Sequence, residues 1–174
     1  IDSSGGSVTR QPLAPQALKA MPSATWSLPV TDAVSMMHSQ GLNGRGANGQ
    51  GEVVAILDSG FDLPNLATSV VAYHDFTASQ NSEFHDGAGH GSHVAQQVLA
   101  VAPQAKLLVG KVMGDKGEGR PSDILKGLQW VAQMHDQGTN ISVCNLSLGE
   151  QVGASPEMMQ AIHEQIHRLS NDGV

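Results

Sequence analysis

Two residues of this chain carry the means for acid–base chemistry. Asp58 closes the apolar run of the segment Ala-Ile-Leu-Asp-Ser-Gly (55–60), and His90 stands between glycines in Gly-His-Gly-Ser-His-Val-Ala (89–95). A serine hydroxyl is a poor nucleophile at neutral pH. A neutral imidazole can take its proton, provided a buried carboxylate fixes the ring's tautomer and stabilises the imidazolium that forms. Asp58 and His90 fit those two parts. The flanking glycines are expected to leave room for a substrate and a nucleophile to reach the ring, while a helix behind holds it. His93, three residues on, reads as a packed or hydrogen-bonded structural histidine on the helix face.

Two other constellations compete. His163-Glu164-Gln165-Ile166-His167 matches the H-E-x-x-H pattern, in which two histidines bind zinc and the glutamate acts as base. The common zinc peptidases draw a third ligand from downstream, and after His167 the only His, Asp or Glu is Asp172. An amphipathic helix whose histidines flank the Ile162 and Ile166 stripe accounts for the same residues. The single cysteine, Cys144, falls inside an expected buried strand, where it serves packing better than nucleophilic attack.

These residues need elements to position them. Glu52 to Leu57 (EVVAIL) reads as a buried strand after a glycine-rich stretch, and a helix starts near His90 and runs until Pro103. Lys106 to Met113 (KLLVGKVM) is the next strand. A helix capped by Ser122 follows, with Ile124, Leu125, Leu128, Val131 and Ala132 inward and Gly138 as its stop. Asn140 to Leu148 is a third strand. Ser155 and Pro156 open a last helix with Met159, Ile162, Ile166 and Leu169 on its buried side, and Val174 is expected to open a fourth strand. Continuous apolar strands alternating with helices predict an α/β fold in three layers, a mainly parallel sheet with helices on both faces. Asp58, the Gly114 to Gly119 loop and Ser147 to Glu150 follow strand ends and should share one rim.

Composition narrows the function classes. Net charge of −7 over 174 residues gives no electrostatic case for nucleic acid or an anionic membrane, and 40% apolar residues suit a folded domain. The longest apolar runs, Val53 to Leu57 and Val98 to Ala102, fall far short of the roughly 20 residues that cross a bilayer. One cysteine forms no internal disulfide. Residues 1–25 mix Ser, Gly, Pro and Ala without periodicity and read as a linker or leftover pro-segment tail, leaving 26–174 as the domain. The start at Ile1, without Met or a leader pattern, is that expected of a processed product.

Taken together, AILDSG (55–60), GHGSHVA (89–95) and NLSLG (145–149), in that order, resemble the signatures of the subtilisin-like serine proteases, the subtilases. The likeness runs from about Trp26 to Val174, through Ser39 to Gly46 and GEGRPSDILKGLQW at 117–130. It implies a subtilisin-like fold, incomplete in this chain, with Asp58 and His90 as triad acid and base. It also implies a protein or peptide substrate paired as an added strand by Ser147, Leu148 and Gly149 on one side and Gly117, Glu118 and Gly119 on the other. Pocket floors would include Met113, Pro121 and Leu148, specificity would be broad, and the setting secreted or extracellular. The family's Gly-Thr-Ser-Met-Ala nucleophile segment and Ala-Gly-Asn oxyanion segment are absent. The serine is therefore expected outside this chain, on a C-terminal half that is cleaved off, left out or present as a separate chain of the same protein, and residues 1–174 alone are expected to be inert. A truncated or cleaved protease accounts for this better than a peptide-binding pseudoprotease. A half-sheet ending at Val174 should expose an unpaired edge and apolar surface, leaving the fragment marginal, aggregation-prone or partnered. Two further departures stand out. The run from Val94 into VLAVAPQAKL lacks the loop that gives many relatives a tight calcium site, and Asn65 replaces an acidic residue, so no tight calcium site of that type is expected and calcium bound elsewhere is the one cofactor left open. Gln96 stands where the family usually has Gly, which should require accommodation in the helix packing.

Overall fold

The computed structural model describes residues 48–149 and 154–174. The expected tail over 1–25, the segments at 26–47 and Glu150 lie outside them.

Within the described residues, four parallel strands form one sheet: β1 (Val53–Asp58), β2 (Val70–Asp75), β3 (Lys106–Lys111) and β4 (Ile141–Asn145), in the order β2-β3-β1-β4. Three α-helices accompany them: α1 (His90–Val101), α2 (Pro121–Asp136) and α3 (Pro156–Asn171). Side chains alternate across a strand, so β1 sends Val53, Ala55 and Leu57 to one face and Ile56 to the other. The first set packs with Leu108, Leu128, Val131 and Ile162 under α2 and α3. The second packs with Leu107, Val109, Ala95 and Leu99 under α1. Burial on both faces explains why these strands read as unbroken apolar runs. The α/β class and three layers are as the sequence implies.

Several local expectations change. β2 was not expected: among the described residues it pairs only with β3, and it is half-exposed, with Val71 open to solvent, so it lacks the apolar run of its neighbours. The first turn of α2 is set by Pro121 after Arg120, and Ser122 does not cap it. Asp123, buried in that turn, takes the ion pair of Arg120 at 2.8 Å. Ser155 does cap α3, its hydroxyl accepting the Met158 N–H at 3.2 Å. Ile166 is 38% exposed, because Ile162 and Leu169 define the face that packs and Ile166 sits at its margin. The Val174 N–H donates to the Leu169 carbonyl at 2.9 Å beyond a left-handed Gly173, which closes α3. Gln96 points to solvent, so its bulk asks nothing of the packing.

Candidate active site

A parallel sheet turns all its carboxyl ends to one side, and β1 lies within the sheet between β3 and β4. Asp58 is its last residue, with β3 and its following loop on one flank and β4 and Ser147 to Gly149 on the other. All eight residues singled out from the sequence therefore lie at one rim, after β1, β3 or β4 or at the head of α1.

Asp58 is fully buried, and its Oδ1 accepts from His90 Nδ1 at 2.8 Å and from the Ser59 N–H at 2.7 Å. Engagement of Nδ1 makes it the protonated nitrogen and leaves Nε2 on the far side of a ring that is half exposed. Asp58 Oδ2 is buried without a hydrogen-bond partner among the described residues. The Asp58 carbonyl accepts the Val112 and Met113 N–H groups at 2.8 and 3.1 Å, which ties the start of the loop after β3 to the acid itself.

Gly91 at the head of α1 also has a packing role. A Cβ on Gly91 would stand 2.3 Å from the Gly60 carbonyl oxygen, so the missing side chain lets the helix close onto the exit of β1. Gly89 takes a left-handed φ of 76° at the N-cap, which is where its lack of a side chain matters. The helix is thereby fixed against the strand that carries Asp58.

A second buried carboxylate, Asp86, lies between the two segments. Its Oδ1 accepts from Ser59 Oγ at 2.7 Å and from the Gly89 N–H at 2.9 Å, and its Oδ2 accepts from the Ser92 N–H at 2.8 Å. Burial alone would raise this carboxyl, but hydrogen bonds from Ser92, Ser59 and Gly89 outweigh it and hold it below the ordinary carboxylate range. Beneath the rim, the fully buried Lys111 donates to the Ser59 carbonyl (2.6 Å), the Met113 carbonyl (2.9 Å) and Asp115 Oδ1 (3.0 Å). Asp115 Oδ2 in turn meets His85 Nε2 at 2.9 Å, bridging the loop after β3 to the segment leading into His90. The hydrogen bonds of His85 and Lys111 bring Asp115 down to about 2. Sequence reasoning missed Ser59, Asp86, Lys111 and Asp115. The one trace was a lysine closing an apolar strand.

The loop after β3 folds back on itself through a Met113 to Gly119 bridge, with the Gly114 N–H donating to the Glu118 carbonyl at 2.7 Å and the Gly117 N–H to the Gly114 carbonyl at 3.0 Å. Those two groups of Gly117 and Glu118 are engaged within the loop. Beyond β4, Asn145 and Ser147 exchange side-chain hydrogen bonds at 2.9 and 3.2 Å. A cavity of about 570 Å³ is lined by Tyr73, His74 and Lys126 among others and includes neither Asp58 nor His90. Of the pair, Asp58 is buried and the His90 ring is half exposed.

The rival constellations fare differently. His163, Glu164 and His167 are exposed on α3, and no three His, Cys, Asp or Glu side chains among the described residues are grouped to hold a metal. Burial pushes the Cys144 thiol up to about 12, away from thiolate chemistry. His93 is exposed and hydrogen-bonded to Gln97 at 2.7 Å. α1 runs unbroken to Val101 and β3 starts at Lys106, and Ala-Pro-Gln-Ala between them carries no carboxylate. No helix among the described residues is long and apolar enough to cross a membrane.

Comparison with known proteins gives a consistent picture. The family model described as the subtilase family matches residues 49–173. The chain is 32% identical over 131 residues to subtilisin E of Bacillus subtilis, covering 70% of this chain and 33% of that protein. It is 31% identical over 169 residues to a thermostable alkaline protease of Halalkalibacterium halodurans, covering 91% of this chain and 43% of that protein. Among solved structures, a cold-adapted subtilisin-like serine proteinase superposes with a TM-score of 0.54 at 26% identity, over 69% of this chain and 44% of that one. The chain thus spans less than half the length of each of these relatives.

Proposed function

The chain belongs to the subtilase family, and from that premise we propose that it supplies the acid–base half of a serine endopeptidase whose nucleophile is carried by polypeptide outside residues 1–174. The observation that carries this reading is the 2.8 Å contact from His90 Nδ1 to the fully buried Asp58 carboxylate. As the serine Oγ attacks the peptide carbonyl carbon, its proton passes to His90 Nε2. Asp58 holds the ring in the tautomer that leaves Nε2 able to accept and stabilises the imidazolium. The imidazolium then gives that proton to the leaving amine as the C–N bond breaks. Water repeats the sequence to release the acyl group.

Recognition by strand addition is supported by the placement of the two loops on either side of β1. Backbone groups alternate in direction along an extended segment. With the Glu118 carbonyl turned inward to Gly114, the outward groups are those of Gly119 and the Gly117 carbonyl. Opposite them, Ser147, Leu148 and Gly149 complete the groove, and a protein or peptide substrate lies between. Action outside the cell and the absence of a tight calcium site belong to the same reading. The test is turnover of a peptide substrate by the complete protein. His90→Ala should abolish it, and residues 1–174 alone should have none; His90-dependent hydrolysis by residues 1–174 alone would contradict the assignment.

A further inference from the structure

We infer that Asp86 is the positioning residue of this site, a buried carboxylate that holds the acid-bearing and base-bearing segments in register so that His90 meets Asp58. The inference rests on the protease reading above and adds a residue to it.

The geometry is convergent. Ser59 follows the acid, Gly89 precedes the base, and Ser92 lies two residues beyond it; all three donate to Asp86, at 2.7, 2.9 and 2.8 Å. Ser59 Oγ also accepts the Gly91 N–H at 2.9 Å, so both neighbours of His90 reach Asp86, one directly and one through a single hydroxyl. Ser92 Oγ in turn accepts the Asp62 N–H at 2.9 Å, so the groups that Asp86 gathers are also joined to one another across the two segments. Asp86 is 8% exposed, so these donors meet little competition from water. Its charge also lies at the N-terminus of α1, where unpaired N–H groups and the helix dipole favour an anion.

This arrangement needs a carboxylate. An ionised Asp accepts on both oxygens, whereas an Asn side chain would turn an NH2 group toward N–H or O–H donors and leave at least one of them unpaired in a buried site. The consequence falls on the ring. His90 is the first residue of α1, and its backbone neighbours are the groups Asp86 restrains. A displacement on the order of 1 Å at a catalytic contact is enough to cost about 100-fold in rate. Among the described residues the hydrogen bonds of Asp86 go to Ser59, Gly89 and Ser92, away from the loop at Gly117 to Gly119, so peptide binding should be largely spared.

The test uses the complete protein. D86N should lower kcat for a peptide substrate by about 10- to 100-fold with KM changed less than about threefold. The downfield proton resonance of His90 Nδ1–H, bonded to Asp58, should weaken or move in the NMR spectrum. S59A removes only the hydroxyl link and should give a smaller loss of kcat, again with KM held; it carries the test should D86N melt below the assay temperature. H90A separates the two claims. If H90A abolishes turnover while D86N and S59A keep wild-type kcat and an unmoved Nδ1 proton, the positioning role is overturned and the protease reading stands. If H90A retains turnover, the protease reading fails first.

Discussion

The chemistry of this chain rests on a few side chains whose surroundings decide their behaviour. Asp58→Asn should reduce turnover of the complete protein by about 10⁴-fold, because the amide would favour the wrong imidazole tautomer while leaving the shape of the site intact. Cys144 should stay unreactive: with its thiol pushed up to about 12 by burial, labelling by iodoacetamide at neutral pH should be slow, and thiol reagents should not inhibit. Asp115 behaves in the opposite sense. Its carboxyl is held at about 2, below the ordinary 3.8, chiefly by the hydrogen bond from His85 and then by Lys111. A lowered carboxylate contributes stability that is present above its unfolded value and lost as pH falls through its folded value. The difference in melting temperature between wild type and D115N should therefore persist above pH 3.8 and fade as pH falls toward about 2, and a difference unchanged across that window would refute the bridge. Asp58 and His90 were legible in the sequence because each sits in a tight pattern, an acid ending an apolar strand and a histidine between glycines. Asp86 was not. An acid in a glycine-rich loop reads as solvated until Ser59, distant in sequence, folds over it.

At the level of elements, the site exists because a strand end and a helix start are pressed together. Gly91→Ala would push a methyl group against the Gly60 carbonyl, where a Cβ stands 2.3 Å away with only backbone to move. The expected result is destabilisation of roughly 1–3 kcal/mol in chemical unfolding, with loss of activity of the complete protein beyond what that destabilisation explains. The central strands and all three helices could be read from apolar runs and helical spacing because they are buried on the sides that the pattern marks. β2 escaped notice for the converse reason: an edge strand with exposed Val71 and His74 has no unbroken apolar signature. The packing role of Gly91 was not legible because the contact it makes, with Gly60, is distant in sequence. Ser122 was taken for a cap where the proline before it and the Arg120 to Asp123 pair set the helix start.

For the whole molecule, the described sheet ends at β4, which pairs only with β1 among the described residues and exposes Val143 at 49%. Such an edge invites pairing with further polypeptide. Residues 1–174 in isolation should self-associate in sedimentation more strongly than the complete protein does. Calcium should matter little to the complete protein: with no carboxylate between α1 and β3, adding millimolar calcium after chelation should leave Tm within about 1 °C, and a large rise would contradict the reading. The central claim is that Asp58 and His90 activate a serine supplied from outside this chain. It is tested most directly by treating the complete protein and its H90A variant with a fluorophosphonate and measuring the intact and peptide masses. The account predicts one phosphonyl group on a serine beyond residue 174 in the wild type and none in H90A. Equal labelling of both would contradict it, as would a label within residues 1–174.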